Sequence, residues 1–407
     1  MQESRSKNIR AIVIVAALGY FVDIYDLILF GIVRVASLKG LGITDDVQLR
    51  DVGVLLLNMQ MAGMLLGGIL WGILGDKRGR ISVLFGSIIM YSAANILNGM
   101  VQDIPQYSAL RFIAGIGLAG ELGAGITLVS EVMSKESRGY GTTIVATIGI
   151  LGAVAAALVA DFFQWRTAYY VGGAMGLVLL FLRIGMYESG MFKTMIDENI
   201  GRGQFQHLFT NWSRFVKYLR CILIGVPLWF VVGILITFSD AFAKKLGVEG
   251  IAPAKSIMFC YIGLAIGDFS SGYLSQVFKS RKKIILWFIF LTNVLIVIYL
   301  FFNQFGSFYF YTLCLLLGLT CGYWAVFVTN ASEQFGTNLR ATVTTTVPNF
   351  VRGSVVPVSL LFQFLSPMVN IIYSAAIVAS ITLVLAYISV LKLEETYGKD
   401  LDYIEML

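Results

Sequence analysis

The sequence contains twelve apolar runs, each long enough to cross a lipid bilayer as a helix. About 20 apolar residues in helical conformation span a hydrocarbon core of about 30 Å. The chain has 407 residues, 57% hydrophobic and 13% charged, whereas water-soluble domains carry about 25% charged residues. We therefore predict an all-α membrane protein with twelve transmembrane helices. The predicted spans are residues 9–36, 51–75, 81–101, 105–131, 138–162, 166–187, 219–241, 254–278, 283–303, 307–329, 341–366 and 369–392.

The twelve runs form two groups of six around one polar stretch. We predict an N-terminal bundle over 1–187, a cytoplasmic connecting segment with an amphipathic helix over 188–218, and a C-terminal bundle with a short tail over 219–407. Gly72 and Gly272 lie 200 positions apart, each before a basic turn, so the halves repeat. Parallel six-helix repeats imply two pseudo-symmetric bundles with a cavity between them.

Charge distribution predicts the orientation and excludes several functions. With the N-terminus in the cytoplasm, 21 of the 30 Lys and Arg residues fall on the cytoplasmic side, which favours an inner-membrane protein with both termini inside. The basic residues lie in short loops, so nucleic acid is not an expected partner. The four cysteines lack CxxC spacing, the only histidine is in the polar segment, and no GxxxxGK[ST] loop occurs. We expect no metal, no cofactor, no ATPase activity and no enzyme.

Five short motifs follow one another along the chain. They are 20–26 (YFVDIYD), 75–80 (GDKRGR), 111–121 (RFIAGIGLAGE), 131–139 and 333–340. Their order and spacing resemble the major facilitator superfamily, especially its metabolite:proton symporter, sugar porter and phosphate:proton symporter branches. The resemblance covers the whole chain and implies the major facilitator fold and alternating-access transport.

Asp23 and Asp26 are the first candidates for chemistry, because both lie in the middle of the first span. An ionised carboxylate there costs about 2.5–3.5 kcal/mol on insertion scales, so it needs an aqueous cavity or a partner. Their spacing of three places them on one helical face, as a proton site, a substrate contact or both. In sugar porters the arginine that matches Arg111 pairs with the aspartate that matches Asp26, and protonation releases the pair. A static ion pair remains the alternative.

Arg352 lies within the eleventh span between Pro348 and Pro357, where we expect a bend beside a cavity. Its guanidinium could bind an anion, since arginine matches carboxylate or phosphate with two hydrogen bonds. Alternatively it neutralises an acid of the second half, such as Asp268. Arg34, at the outer end of the first span, is expected to extend its side chain to the membrane interface.

Three further side chains are candidates within the spans. Glu121 lies deeper in the fourth span than Arg111 and could serve as a proton relay or in helix packing. Tyr20 and Trp324 could line a substrate pocket, although a single aromatic residue in a span usually serves packing.

A third group is predicted to act in gating at the cytoplasmic ends of the helices. In the superfamily such residues hold the two halves together in the outward-open state and separate when the halves rock. The alternative for them is membrane anchoring by positive charge alone. The group comprises Gly72, Asp76, Arg80, Glu131, Arg138, Glu333 and Arg340.

These observations predict a monomeric, proton-coupled symporter in the lipid bilayer that carries a small polar, anionic metabolite. An uncoupled facilitator, or an exporter of a zwitterionic or cationic molecule, would have the same fold. A membrane receptor without transport activity is a third possibility. The identity of the substrate and the direction of transport are open at this point.

Overall fold

The structure is a computed structural model of the chain. It describes residues 2–123, 125, 129, 133, 138–184, 205–302 and 305–399, with the backbone alone described at 2–11, 76, 80, 138–140, 142–143, 337–338 and 340–341.

The described residues fold into fifteen α-helices and contain no β-strand, as predicted. Most helices are predominantly apolar. Seven of the fifteen begin after a residue with an extended backbone, and the side chain of an Asp, Asn or Ser caps five of the fifteen. The helices are α1 (Gln2–Gly40), α2 (Asp46–Arg78), α3 (Arg80–Asn98), α4 (Ile104–Leu118), α5 (Arg138–Phe162), α6 (Trp165–Leu182), α7 (Trp212–Phe230), α8 (Ser239–Lys245), α9 (Pro253–Val277), α10 (Arg281–Phe301), α11 (Ser307–Cys321), α12 (Trp324–Glu333), α13 (Thr337–Gly353), α14 (Val355–Val369) and α15 (Ile371–Lys392).

Eleven segments of the described chain are long and apolar enough to cross a membrane. They correspond to eleven of the twelve predicted spans. The remaining span, the fourth, is described through α4 and residues 121–123. The connecting segment predicted over 188–218 falls largely outside the described residues, and α7 already begins at Trp212 within it.

The helices form two bundles that meet along a small number of helix pairs. α2 runs beside α13 and α14, and α5 runs beside α9. Along the first of these contacts, Asn349 lies against Gly68 and Gly353 lies against Leu65. Further along, the hydroxyl of Ser359 donates a hydrogen bond of 2.7 Å to Asn58. The two bundles therefore touch on both sides of Arg352.

Glycine contacts repeat in the two bundles and support their pseudo-symmetry. A Cβ atom at Gly63 in α2 would overlap the carbonyl oxygen of Phe112 in α4. A Cβ atom at Gly263 in α9, 200 positions later, would overlap the carbonyl oxygen of Leu315 in α11. Small residues let membrane helices approach until their backbones touch. At Gly72 the helices lie farther apart, since a Cβ there would be 3.7 Å from a methyl of Thr346 in α13.

Three spans are interrupted in mid-course. The seventh span passes from α7 into a π-helical stretch at Val231–Ile236, after Pro227. The eleventh span is divided at Ser354 between α13 and α14, within the stretch from Pro348 to Pro357 where a bend was predicted. The backbone of Ser354 is itself helical, so the bend stays a prediction. The tenth span is broken between Cys321 and Trp324, which the sequence analysis did not foresee.

Replacing Gly263 with Ala is expected to destabilise the protein. The added methyl group would collide with the backbone of α11, and overpacking of this kind typically costs about 1–3 kcal/mol. Gly272 in the same helix is the matched control, because a Cβ there meets no atom within 4 Å. Thermal unfolding of the purified variants in detergent compares the two, and equal midpoints would contradict the close packing of α9 on α11.

Candidate substrate and proton site

Arg352 lies where the two bundles meet, in the last turn of α13. Its side chain is 1% exposed, and its Nη2 atom lies 3.9 Å from a carboxylate oxygen of Asp23 in α1. Asp23 is also fully buried. A cation near a helix C-terminus is favoured by the helix dipole, but burial without water requires further compensation. Arg352 and Asp23 thus form a charge pair that joins the two bundles.

Two indole rings flank the guanidinium of Arg352. Its Cζ atom lies 5.8 Å from the ring centroid of Trp229 in α7 and 5.9 Å from that of Trp324 in α12. Both distances are in the range of cation–π attraction. The phenol of Tyr20, one turn before Asp23 in α1, faces the indole N–H of Trp324. The predicted pocket residues Tyr20, Trp324 and Arg352 are therefore brought together.

Several donors in this cluster have no hydrogen-bond partner among the described residues. They are the Nε and Nη1 atoms of Arg352 and the indole Nε1 atom of Trp229. Buried polar groups are normally hydrogen-bonded, and an unpaired one needs an explanation. Donors on a guanidinium can bind a carboxylate with two parallel hydrogen bonds.

Asp26 lies inside the N-terminal bundle, away from Arg352. Gly172 in α6 leaves the space that its carboxylate occupies, since a Cβ there would overlap Oδ1 of Asp26. The amide of Asn95 in α3 faces Asp26, yet neither group completes a hydrogen bond with a described residue. Asp23 and Asp26 are close enough to act on each other electrostatically, as expected for two residues on one helical face, but they have different neighbours: Asp23 faces Arg352 of the second bundle, whereas Asp26 faces α3 and α6.

The ion pair expected between Asp26 and Arg111 does not form among the described residues. Nη2 of Arg111 instead donates to the side-chain oxygen of Gln60 in α2. The guanidinium also lies 5.1 Å from the ring centroid of Phe30 and 5.8 Å from that of Tyr169. Arg111 is thus held by an amide and two rings, although it lies close enough to Asp26 to act on it electrostatically.

Glu121 forms a buried ion pair with Arg183 near the end of α6. Nη1 of Arg183 lies 3.0 Å from the second carboxylate oxygen and also donates to the carbonyl of Leu84 in α3. The pair packs against Gly19 in α1, one turn before Asp23. Of the two roles predicted for Glu121, this geometry supports helix packing directly.

Asp268 does not pair with Arg352, whose charged partner is Asp23 of the first half. Its carboxylate accepts a hydrogen bond of 2.8 Å from the backbone N–H of Ala325. The alternative in which Arg352 neutralises an acid of the second half is therefore wrong.

Arg34 does not extend to the membrane interface, because it is 1% exposed and pairs at 2.5 Å with Asp240 of the second bundle. Its guanidinium lies 4.6 Å from the ring centroid of Phe238. A second ion pair, between Lys244 and Asp46, joins the bundles close by on the surface. We call these two pairs the 34–240 and 46–244 bridges; they lie at the end of the molecule where α1 is followed by α2.

Of the predicted gating residues, Gly72 and Glu333 lie within the part of the chain whose side chains are described. Glu131 and the side chains of Asp76, Arg80, Arg138 and Arg340 lie outside the described residues. Gly72 faces α13 of the other bundle. Glu333 lies 3.6 Å from Nε of Arg281 and accepts a hydrogen bond of 2.7 Å from Thr396. The gating role of this group remains a prediction.

Sequence reasoning missed the partners of the buried charges. The sequence does not assign Asp240 to Arg34 or Gln60 to Arg111. Arg183 is passed over because it falls at the end of an apolar run, where a charge looks like an anchor. One sequence signal could have found these partners. A charge inside a membrane span needs a partner, and the apolar runs contain arginines and acids in similar number, which indicates that they pair with each other.

Comparison with known proteins identifies the family. A model of the Major Facilitator Superfamily matches residues 16–356. The chain belongs to this superfamily. A solved D-xylose–proton symporter has the same fold, with a TM-score of 0.74 and 16% identity over 97% of this chain and 100% of that one.

Several relatives are named for a substrate, and the names of two of them refer to niacin. A protein of Bacillus subtilis named for niacin/nicotinamide transport is 26% identical over 358 residues, covering 83% of this chain and 84% of the relative. The niacin transporter of Acinetobacter baylyi is 26% identical over 318 residues, covering 69% of this chain and 70% of the relative. This superfamily member is therefore a multi-pass membrane transporter and not an enzyme, as predicted.

Replacing Asp240 with Asn is expected to open the end of the transporter that the 34–240 bridge closes. The change leaves the buried Arg34 without its charged partner, which is itself 30% exposed, and a buried charge that loses its partner destabilises the closed arrangement. We expect a longer distance between spin labels placed at the exposed positions Val47 and Lys245, measured by double electron–electron resonance.

The matched control is Lys244→Gln, which removes the 46–244 bridge. Both members of that bridge are about 70% exposed, and such pairs contribute about 0–1 kcal/mol. We expect an unchanged distance distribution for this control. An unchanged distribution in Asp240→Asn as well would exclude a closing role for the 34–240 bridge.

Proposed function

We propose that this transporter carries a small carboxylate attached to a flat ring, together with a proton, by alternating access. The observation that carries the proposal is the guanidinium of Arg352, which is buried between two indoles with two unpaired nitrogen atoms. Such a group suits a carboxylate by charge and geometry, and the indoles suit a flat ring by stacking.

The relatives point to the same class of substrate. Two of them, from different organisms, are named for niacin, which is a pyridine ring bearing one carboxylate. The name of the Bacillus subtilis protein also includes nicotinamide, in which a neutral amide replaces the carboxylate. We infer that Arg352 selects the acid over the amide, so nicotinate is the first compound to test.

Proton coupling is proposed from the positions of the two aspartates. Asp23 and Asp26 are fully buried, and no oxygen of either accepts a hydrogen bond from a described residue. A buried ionised carboxylate in this state costs several kcal/mol, and protonation removes that cost. Asp23 also competes with an incoming carboxylate for Arg352, so a proton on Asp23 leaves Arg352 to the substrate.

In the proposed cycle the 34–240 bridge closes the outer face, in keeping with the charge bias that predicts cytoplasmic termini. One chain supplies both sides of the site, Asp23 from the first bundle and Arg352 from the second. We therefore propose that the monomer is sufficient for transport.

Arg352→Lys is expected to weaken nicotinate binding roughly tenfold to hundredfold, because a hydrogen bond to a charged group contributes about 1.5–3 kcal/mol. Nicotinamide binding should change little. Thermal-shift titration of the purified protein measures both, since a ligand that binds the folded state raises its stability. The control is Arg50→Lys, which affects a partly exposed arginine paired with Asp51. Unchanged nicotinate affinity in Arg352→Lys would exclude the proposed substrate site.

Asp23→Asn and Asp26→Asn are each expected to abolish uptake driven by a pH gradient in proteoliposomes, because Asn cannot exchange a proton. Counterflow exchange of labelled nicotinate should continue in both, since it needs no net proton movement. In Asp23→Asn the substrate affinity should also lose its pH dependence, because Arg352 no longer has a competing carboxylate.

Asp161→Asn, at an exposed position near the end of α5, is the matched control and should behave as the wild type. Equal loss of gradient-driven uptake and counterflow would assign the two aspartates a structural role. Wild-type uptake that ignores the pH gradient would identify an uncoupled facilitator.

A further inference from the structure

The tenth span is interrupted next to the proposed substrate site. α11 ends at Cys321, and the N–H of Tyr323 bonds to the carbonyl of that residue at 2.8 Å, in a tight turn. α12 then begins at Trp324. The first N–H groups of a new helix have no acceptor within that helix. Inside a membrane protein they require an acceptor from another segment.

Asp268 in the middle of α9 supplies that acceptor. Its Oδ1 atom accepts the N–H of Ala325 at 2.8 Å, and its carboxylate also faces the N–H of Trp324. The side chain can reach the break because α9 touches it with its backbone. A Cβ atom at Gly322 would overlap Gly267 and the backbone nitrogen of Asp268. Asp268 is 3% exposed, so its carboxylate is committed to this buried contact.

The residue held by this cap bears one of the two indoles beside Arg352. Trp324 is the first residue of α12, and its ring centroid lies 5.9 Å from the guanidinium. A shift of the first turn of α12 would move this ring directly. On the opposite side, the hydroxyl of Tyr323 donates to the carbonyl of Ile224 in α7 at 3.0 Å. The break is therefore fixed between α7 and α9.

We propose that Asp268 is a positioning residue for substrate selection. It holds the first turn of α12 so that the indole of Trp324 lies beside the guanidinium of Arg352, where the ring of a carboxylate substrate would stack. Asp268 itself does not touch the substrate. This inference rests on the proposed function, because it assigns the preference for a ring to Trp324 and the binding of the carboxylate to Arg352.

The test compares Asp268→Ala with Asp268→Asn in proteoliposome uptake of nicotinate and of propionate, an acid without a ring. Loss of a helix cap typically changes an equilibrium constant by roughly fivefold to tenfold. Asp268→Ala removes the acceptor, so we expect the KM for nicotinate to rise by about that factor. The KM for propionate should change much less. Asparagine keeps an acceptor oxygen and caps helices as well as aspartate does, so Asp268→Asn should restore the nicotinate KM.

Asp103→Ala is the matched control, because Asp103 caps α4 in the same way. Its Oδ1 atom accepts the N–H of Gln106 at 2.8 Å, and Asp103 is exposed rather than buried near Arg352. Loss of this cap should leave the ratio of the two KM values unchanged. If Asp268→Ala lowers uptake of both acids equally, with no change in that ratio, the positioning role is overturned.

A second measurement does not depend on transport. The chain has six tryptophans, and 5-fluorotryptophan labelling gives each a fluorine resonance, that of Trp324 being assigned with Trp324→Phe. Asp268→Ala should shift this resonance and Asp268→Asn should not. If the wild type carries no ring carboxylate, the proposed function fails, whereas an unmoved Trp324 resonance in Asp268→Ala overturns the role of Asp268 alone.

Discussion

The contact between Arg352 and Asp23 is the constraint on which the central part of the molecule depends. A guanidinium buried where two helix bundles meet is costly unless its charge is compensated. Here the compensation comes from three sources: the carboxylate of the other bundle, two indole rings, and the carbonyl end of α13. The carboxylate is 3.9 Å away, longer than a charge-assisted hydrogen bond of about 2.7–2.9 Å. The compensation is therefore incomplete, and an anionic ligand would complete it.

The contacts of the buried arginines fall into two groups: those within one bundle and those between the two bundles. Glu121 with Arg183, and Arg111 with Gln60, lie within the first bundle and make close contacts. Such contacts keep their geometry when two bundles rock as rigid bodies. The 34–240 bridge and the Arg352–Asp23 contact cross between bundles. Only contacts of this second group can differ in free energy between inward-open and outward-open states, so they are the ones that set the balance between those states.

The fold was predictable because twelve apolar runs and their six-plus-six arrangement leave few alternatives in a bilayer. The site was predictable only in part. Tyr20, Asp23, Trp324 and Arg352 were recognised as residue types that are costly or informative within a membrane. Their partners were not, because pairing depends on the rotation of each helix about its axis. Asp26 follows Asp23 by three residues. The turn of the helix over those residues directs Asp23 towards the second bundle and Asp26 into the first. The break before Trp324 was missed because it carries no proline, only Gly322 packed against Gly267.

Whether the substrate binds Arg111 or Arg352 decides how it could act on the two bundles in the proposed cycle. Arg111, which the sugar porter resemblance favours as the functional arginine, donates one hydrogen bond to Gln60, leaves Nε and Nη1 without a partner among the described residues, and lies within the first bundle. A ligand bound there would contact one bundle in every state and could not favour one state over another. Arg352 belongs to the second bundle and faces Asp23 of the first. A carboxylate held by Arg352 beside a protonated Asp23 would contact both bundles only when they are closed around it. Its binding free energy would then stabilise the closed, loaded state, which is the requirement for coupling a conformational change to a ligand.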